Sequence, residues 1–253
     1  MSAFHLTART ALVTGGSAGI GLALTRLLVS NGVAKIIIVG RDPGKLSSVA
    51  AEFPGTVVTV QADLSNRVDL DRLLDRLPTL APDMSLLINN AGSQLLTDMT
   101  ASNAPSLIPA LRTEIEANFT STVALCVGLL PLLARQQSAA IVNVTSGLAL
   151  APKMSSPVYC ATKAGVRSFT RSLRYQCEAK LPRVRIVEAL PPLVNTTMTQ
   201  GRGRAKISPE ACAAEIIAGL RAGRREIHVD KAKLLRAIMR ISPIVGYRIM
   251  RGG

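Results

Sequence analysis

Tyr159 and Lys163 stand four residues apart in the stretch VYCATKAG. Side chains at that spacing share one face of a helix. A free phenol titrates near about 10, too high for efficient proton transfer at neutral pH. An ammonium on the same face favours the phenolate and is expected to lower the tyrosine pKa. The chain holds only three tyrosines and no tryptophan, so the pair falls in a sequence poor in aromatic side chains. Any amphipathic helix can show a Tyr and a Lys at this spacing, so the pair acquires chemical meaning only with other groups around it. Ser146 ends the apolar run NVTSG, thirteen residues before Tyr159, where its hydroxyl can hydrogen-bond an oxygen. Asn118 lies inside the helical stretch EANFTS.

A second cluster of special residues is VTGGSAGIG, which gives the pattern TGxxxGxG through Gly15, Gly19 and Gly21. Glycine permits a tight turn and close backbone approach to a diphosphate, and a helix N-terminus adds free N–H groups and a positive dipole end. Here the turn has the strand–turn–helix setting that this motif requires. The same letters spell GxSxG around Ser17, the nucleophile-elbow pattern of serine hydrolases, and His228 lies downstream. An elbow needs earlier strands and an oxyanion loop. Only thirteen residues precede Thr14, which weighs against that alternative.

The elements that must position these groups alternate. TALVTGG, KIIIVG, TVVTVQAD, SLLINNAG, AAIVNVTSG, RVRIVEAL and EIHV read as strands. GIGLALTRLLVSNG, DPGKLSSVAAEFPG and SNRVDLDRLLDRL read as helices, followed by two longer ones over much of 105–136 and from about Pro157 to Leu181. SPEACAAEIIAGLRAG adds a helix with Ser208 as N-cap and Pro209 at its first position. Strands apolar on both faces, with helices between them, predict a Rossmann-like, doubly wound parallel sheet of about seven strands in a single α/β domain. Residues 1–230 form the expected main unit, holding the glycine turn and the Tyr159–Lys163 pair, and 231–253 a basic amphipathic tail.

Composition narrows the partners. Thirty Lys and Arg oppose sixteen Asp and Glu, a formal net charge of +14. Residues 201–253 contain twelve basic and four acidic residues, so much of the excess sits in the last fifth of the chain. The basic residues lack aromatic interleaving and no nucleic-acid motif is present, so no nucleic-acid partner is expected. The four cysteines form no CxxC pair and the two histidines, His5 and His228, lie near opposite ends, so no metal site is expected. No leader pattern is read at the N-terminus, and no apolar run is read as reaching the ~18 residues a spanning helix wants. A cytoplasmic location is expected.

With the glycine turn and the Tyr159–Lys163 pair both in place, the chain resembles the short-chain dehydrogenase/reductase family over roughly residues 8–230. The marks run in order: TGGSAGIG at 14–21, Asp63, Asn89-Asn90-Ala91-Gly92, Asn118, Ser146, Tyr159 and Lys163. VTSGLAL, PVYCATKA and EALPPLVNT are similar to a bacterial DltE-like subgroup of oxidoreductases. The resemblance implies a metal-free NAD(P)-dependent oxidoreductase acting on a small carbonyl or alcohol substrate. It implies Tyr159 as general acid/base, Lys163 as its tuner and as a ligand of the nicotinamide ribose, Ser146 orienting the substrate oxygen, and Asn118 supporting a proton relay. Gly15, Ser17, Gly19, Ile20, Gly21, Asp63, Leu64, Asn90, Ala91, Gly92, Pro191, Val194 and Thr196 are implied as cofactor contacts.

Arg41 follows the second strand where an acidic residue would bind a ribose 2′-hydroxyl and an arginine accommodates a 2′-phosphate, so NADP(H) is favoured over NAD(H). Asp42 follows one place too late for the usual acidic position. Pro192 replaces the glycine usual in the family after the sixth strand, which is expected to stiffen the loop root. The segment TMTQGRGRAKISPE is implied as a cover over the substrate. Its Arg202, Arg204 and Lys206 are read either as attracting an acidic substrate or as solvated loop residues. The tail places Leu234, Leu235, Ile238 and Met239 at helical spacing among basic residues, which suits packing on the protein itself or on a subunit, closing an active site or an oligomer interface, or peripheral membrane contact. A homodimer or homotetramer is expected. The readings from other classes are a non-catalytic NADP-binding regulator and a membrane-associated scaffold.

Overall fold

Seven strands, each apolar enough to be covered on both faces, build one parallel sheet. The computed structural model describes residues 3–203 and 205–252. The strands are β1 (Thr10–Thr14), β2 (Lys35–Gly40), β3 (Val57–Gln61), β4 (Met84–Asn89), β5 (Ala139–Val144), β6 (Val184–Leu190) and β7 (Glu226–His228). Their order across the sheet is β3-β2-β1-β4-β5-β6-β7. Every residue of β1, β4 and β5 is buried. The helices are α1 (Gly19–Ser30), α2 (Pro43–Glu52), α3 (Arg67–Leu80), α4 (Ile108–Ile115), α5 (Ser121–Ala134), α6 (Pro157–Lys180), α7 (Pro209–Arg221), α8 (Lys231–Ile241) and α9 (Pro243–Arg251).

Alternation of side chains along each strand divides the core in two. Ala11, Val13, Ile36 and Ile38 join Leu24 and Leu28 of α1 and Ile216 and Leu220 of α7 on one face. Leu12, Ile37, Val39 and Leu87 join Leu73 of α3, Leu129 of α5 and Leu173 of α6 on the other. The predicted doubly wound sheet is therefore present, with seven strands. β1 and β4 are neighbours although two strands separate them in sequence, so the chain reverses its winding direction there. In open α/β sheets such a switch point opens a crevice at the strands' carboxyl ends. The turn after β1 and the Asn90-Ala91-Gly92 turn after β4 flank that crevice.

Two expectations change. The predicted helix over much of 105–136 is not one regular helix: a 3-10 turn at Ala104–Leu107 leads into α4, and a π-turn at Glu116–Thr120 separates α4 from α5. Taken together, Ala104–Ala134 is also long and apolar enough, by length and composition alone, to cross a membrane, contrary to the expected absence of such a run. Its Leu125, Cys126, Leu129 and Leu133 are buried in the core. The tail packs on the protein itself, in line with one of its expected readings. α8 and α9 pack on each other with Gly246 against Met239, and the Met154 N–H donates to the Arg251 carbonyl at 3.1 Å. The tail thereby turns back onto the body beside the strand ends.

Candidate active site

The floor of the crevice is the glycine turn. Gly15 and Gly19 adopt φ of +66° and +50°, values that L side chains rarely take. A Cβ on Gly21 would lie 2.0 Å from the Gly15 carbonyl oxygen and 2.6 Å from Asn90 Nδ2. The loop after β4 is tied to the same turn. Asn90 Nδ2 donates to the Thr14 carbonyl at 3.0 Å, and the Asn90 and Ala91 N–H groups both donate to Thr14 Oγ1 at 3.0 Å. On the rim, Arg41 is 71% exposed with Nη1 3.9 Å from Asp63 Oδ2. Burial would raise the Asp63 pKa, but hydrogen bonds from Ser65 and the Arg41 charge outweigh it and hold the carboxyl below its usual range. Asp42 caps α2, accepting from the Lys45 N–H at 3.0 Å, and also lines the cavity.

The opposite wall rises from β5 and α6. Ser146 ends the strand segment and caps a 3-10 turn, its Oγ accepting from the Leu148 N–H at 3.1 Å. Pro157 at the start of α6 sets the helix so that Tyr159 and Lys163 face the same cavity as Ser146. Lys163 Nζ lies 5.7 Å from the Tyr159 ring centroid and donates to the Val144 carbonyl at 3.0 Å. The expected lowering of the tyrosine pKa is not what this arrangement produces. Burial pushes Tyr159 up to about 12, against the opposing pull of the Ser146 hydroxyl. The same burial pulls Lys163 down to about 8. The physical reason is that the ammonium sits over the ring and on a backbone carbonyl while both groups are desolvated.

Asn118 occupies the π-turn between α4 and α5 and is fully buried. Its Oδ1 accepts from the Ser93 N–H at 2.8 Å, and its Nδ2 donates to the Ser93 carbonyl at 2.8 Å and to Thr162 Oγ1 at 3.3 Å. A Cβ on Gly92 would lie 3.0 Å from Asn118 Oδ1 and 3.5 Å from Lys163 Nζ, so glycine there lets the strand-end loop, the π-turn and α6 meet. π-turns inside helices gather at functional sites because the extra residue re-aims side chains and frees backbone groups. Pro191, Pro192 and Val194 line the cavity from the loop after β6, and the Gly147 N–H donates to the Pro191 carbonyl at 2.9 Å. Thr196 caps the following 3-10 turn together with Thr199.

All of these surfaces face one cavity of about 660 Å³. Of the catalytic and cofactor-contact residues singled out from sequence, every one lines it except Gly21 and Asn118, and neither Arg202 nor Lys206 is in the lining. A family profile described as short chain dehydrogenase matches residues 9–206. The chain belongs to the short chain dehydrogenase family.

Relatives of this dehydrogenase include the uncharacterized oxidoreductase DltE of Bacillus subtilis (strain 168), 37% identical over 91% of this chain and 92% of the relative. The uncharacterized oxidoreductase SERP2049 of Staphylococcus epidermidis is 31% identical over 76% and 81%. In structure the chain is similar to a short chain dehydrogenase from Burkholderia cenocepacia J2315, solved in complex with NADP. That protein is 27% identical, with a TM-score of 0.85 over 98% of this chain and 99% of that one. As a short-chain dehydrogenase the protein is an oxidoreductase acting on CH–OH or C=O groups.

The dehydrogenase site also contains residues the sequence reading passed over. Gln94, Lys153, Leu235 and Met250 line the cavity, and Glu114 lies buried with Oε1 accepting from the Leu95 N–H at 3.0 Å. Burial raises the Glu114 pKa. Only a three-dimensional path brings the 3-10 loop and α8–α9 to this wall, so spacing carried no signal for them. Conversely, the hydrolase alternative loses its geometry. Ser17 follows β1, whereas His228 ends β7, with β4, β5 and β6 between them in the sheet. His228 lies instead 4.0 Å from Glu226. Among the described residues no cluster of three His, Cys, Asp or Glu could hold a metal.

Proposed function

We propose that the protein transfers hydride between NADP(H) and the carbonyl or secondary-alcohol carbon of a small molecule, with Tyr159 moving the proton. The observation that carries this reading is that Ser146, Tyr159 and Lys163 line one wall of a cavity floored by the glycine turn. The residues fit such a cofactor: the turn is open only because Gly15, Gly19 and Gly21 lack side chains, and Cβ atoms would fill it. When bound, the nicotinamide supplies or accepts the hydride. Gly15–Gly21 and the α1 N-terminus would hold the diphosphate, Asp63 and Leu64 the adenine side, Asn90–Gly92 the centre, and Val194 and Thr196 the carboxamide end. Lys163 would hold the nicotinamide ribose, and Asn118, through its π-turn, would support the proton path from Lys163 outward.

In this reading Ser146 hydrogen-bonds the substrate oxygen while Tyr159 donates to it during reduction. With its pKa near 12, Tyr159 is a protonated donor at neutral pH. Lys163, near 8, is still largely a cation at pH 7 and stabilises the phenolate left behind. Carbonyl reduction is therefore expected to be level below about pH 8 and to fall about tenfold per unit above it as Lys163 loses its proton. The kcat/KM–pH profile of the wild type beside Lys163→Met checks this: the variant is expected to be slow and to lack that alkaline limb.

Arg41 supports the NADP(H) preference. Its guanidinium is exposed, only loosely paired with Asp63, and stands at the strand end where a 2′-phosphate would lie. Ser17 Oγ lies 3.2 Å from where a Gly40 Cβ would be, so its hydroxyl reaches the same corner. Arg41→Ala is expected to weaken NADPH binding about tenfold to a hundredfold while changing NADH binding little. Fluorescence titration with both coenzymes measures this. Equal weakening of the two would remove Arg41 from the 2′-phosphate site.

A further inference from the structure

The tyrosine end of the cavity carries a charge pattern that hydride transfer does not require. Lys153 lines it from the loop between β5 and α6, with its backbone N–H 3.4 Å from the sulfur of Cys160, the residue next to Tyr159. Arg202, on the loop after β6, stands behind this lining and donates from Nη1 to Oε1 of the lining residue Gln94 at 2.7 Å. Gln94, another lining residue, is held from its other end as Nε2 donates to Ser156 Oγ at 2.9 Å. The amide is thus fixed with its oxygen towards the guanidinium, and Arg202 is positioned.

Neither cation has an acidic partner among the described residues. The cofactor end differs: there Arg41 stands by Asp63 and Lys45 by Asp42, at 3.9 and 3.8 Å. The other loop cations are turned to backbone, Lys206 to the Thr199 carbonyl and Lys231 to the Ala205 carbonyl. Arg204 lies outside the described residues. Glu114, the buried acid nearby, is tied to Leu95 and has no ion pair. Lys153 and Arg202 act on each other: burial first, and then the Arg202 charge, lower the Lys153 pKa. Both cations are anchored around Gln94 and Cys160 without an acidic partner, and like charges in a partly desolvated wall are relieved by an anion. The cavity lining also includes the apolar side chains of Leu148, Leu193, Met198, Leu235 and Met250.

The geometry points to an anion subsite beside Tyr159, formed by Lys153 and the Gln94-positioned Arg202, that takes a carboxylate or phosphate carried by the substrate. The substrate class is then an oxo or hydroxy compound with an apolar body and one anionic group. The assignment deepens the hydride-transfer reading and rests on it for the word substrate. The subsite itself is a property of these side chains.

Calorimetric titration of the full chain with NADP⁺ at saturation tests it, using benzoate, phenyl phosphate and the neutral isostere benzamide. Benzoate or phenyl phosphate is expected to bind at least about tenfold more tightly than benzamide. Whichever anion is the tighter distinguishes carboxylate from phosphate. Lys153→Met and Arg202→Met are expected to abolish the preference, and Lys153→Arg to retain it. Equal binding of all three probes, or a preference that survives both Met variants, overturns the subsite. A parallel assay compares kcat/KM for aromatic oxo acids with that for their methyl esters. The acid-to-ester ratio is expected to exceed about ten and to fall towards one in the Met variants. A ratio near one in the wild type overturns the assignment while leaving hydride transfer standing. A chain that reduces no carbonyl compound at all sinks the hydride-transfer reading, and the titration still decides the subsite.

Discussion

Tyr159→Phe is expected to lower kcat for carbonyl reduction by about 10²–10⁴-fold, the usual contribution of a positioned proton donor. The change deletes one oxygen from a side chain that is 9% exposed and otherwise packed, so the fold and the coenzyme site should persist. Ser146 keeps its bond from the Leu148 N–H, so no buried hydroxyl is stranded. Loss of rate with unchanged NADPH affinity and an unchanged urea midpoint separates a chemical role from a structural one. A structural tyrosine would behave in the opposite way, with stability falling and rate per folded molecule preserved. Retained kcat would remove Tyr159 as the acid and leave Ser146 and Lys163 without a proton to direct. The alternative of a non-catalytic regulator makes the opposite prediction, with neither wild type nor variant turning over any carbonyl.

Much of this site could be read before any fold was known, and the reason is local. The glycine turn works through backbone conformation, which Gly15, Gly19 and Gly21 announce by residue type alone. Tyr159 and Lys163 share a helix, so their common face follows from their spacing. The parallel, doubly wound sheet followed from alternation of strands and helices, because apolar β-branched runs such as Ile36–Val39 can be buried on both faces only between helices. What escaped the reading depends on distance. The Tyr159 pKa was expected to fall because the lysine was counted as a charge and burial was not. In the fold both groups are almost dry, with Lys163 only 4% exposed, and desolvation outweighs attraction. The π-turn at Asn118 leaves little trace in apolar periodicity, because α4 and α5 continue in nearly the same direction through it. The cation pair at Lys153 and Arg202 joins positions 49 residues apart and depends on Gln94, nearly 60 residues before Lys153. Packing of the tail on the protein itself was among its readings, but spacing could not show that Leu235 and Met250 would stand in the cavity wall.

Gly21→Ala is expected to abolish measurable NADP(H) binding at micromolar coenzyme, a loss of about a hundredfold or more, and to destabilise the fold by about 1–3 kcal/mol. The added methyl would sit 2.0 Å from the Gly15 carbonyl oxygen, and that contact is backbone, so no rotamer can relieve it. Either α1 moves away from the turn or the turn opens. Each movement disturbs N–H groups that the diphosphate needs in register, and each also disturbs the Asn90 contacts to Thr14 and Gly15. Gly21 lines no part of the cavity, so the loss would act through the shape of the turn. Gly44→Ala provides the comparison. Its Cβ would meet only Asp42 Oδ1 at 3.4 Å, an ordinary contact, in the first turn of α2. That substitution is expected to leave coenzyme affinity and stability nearly unchanged, since helical Ala is at least as favourable as Gly. NADPH fluorescence titration and urea unfolding of the two variants give the readout. Wild-type affinity in Gly21→Ala would mean that the coenzyme does not depend on the close approach of α1 to the β1 turn, and the cofactor site would have to be sought elsewhere in the crevice.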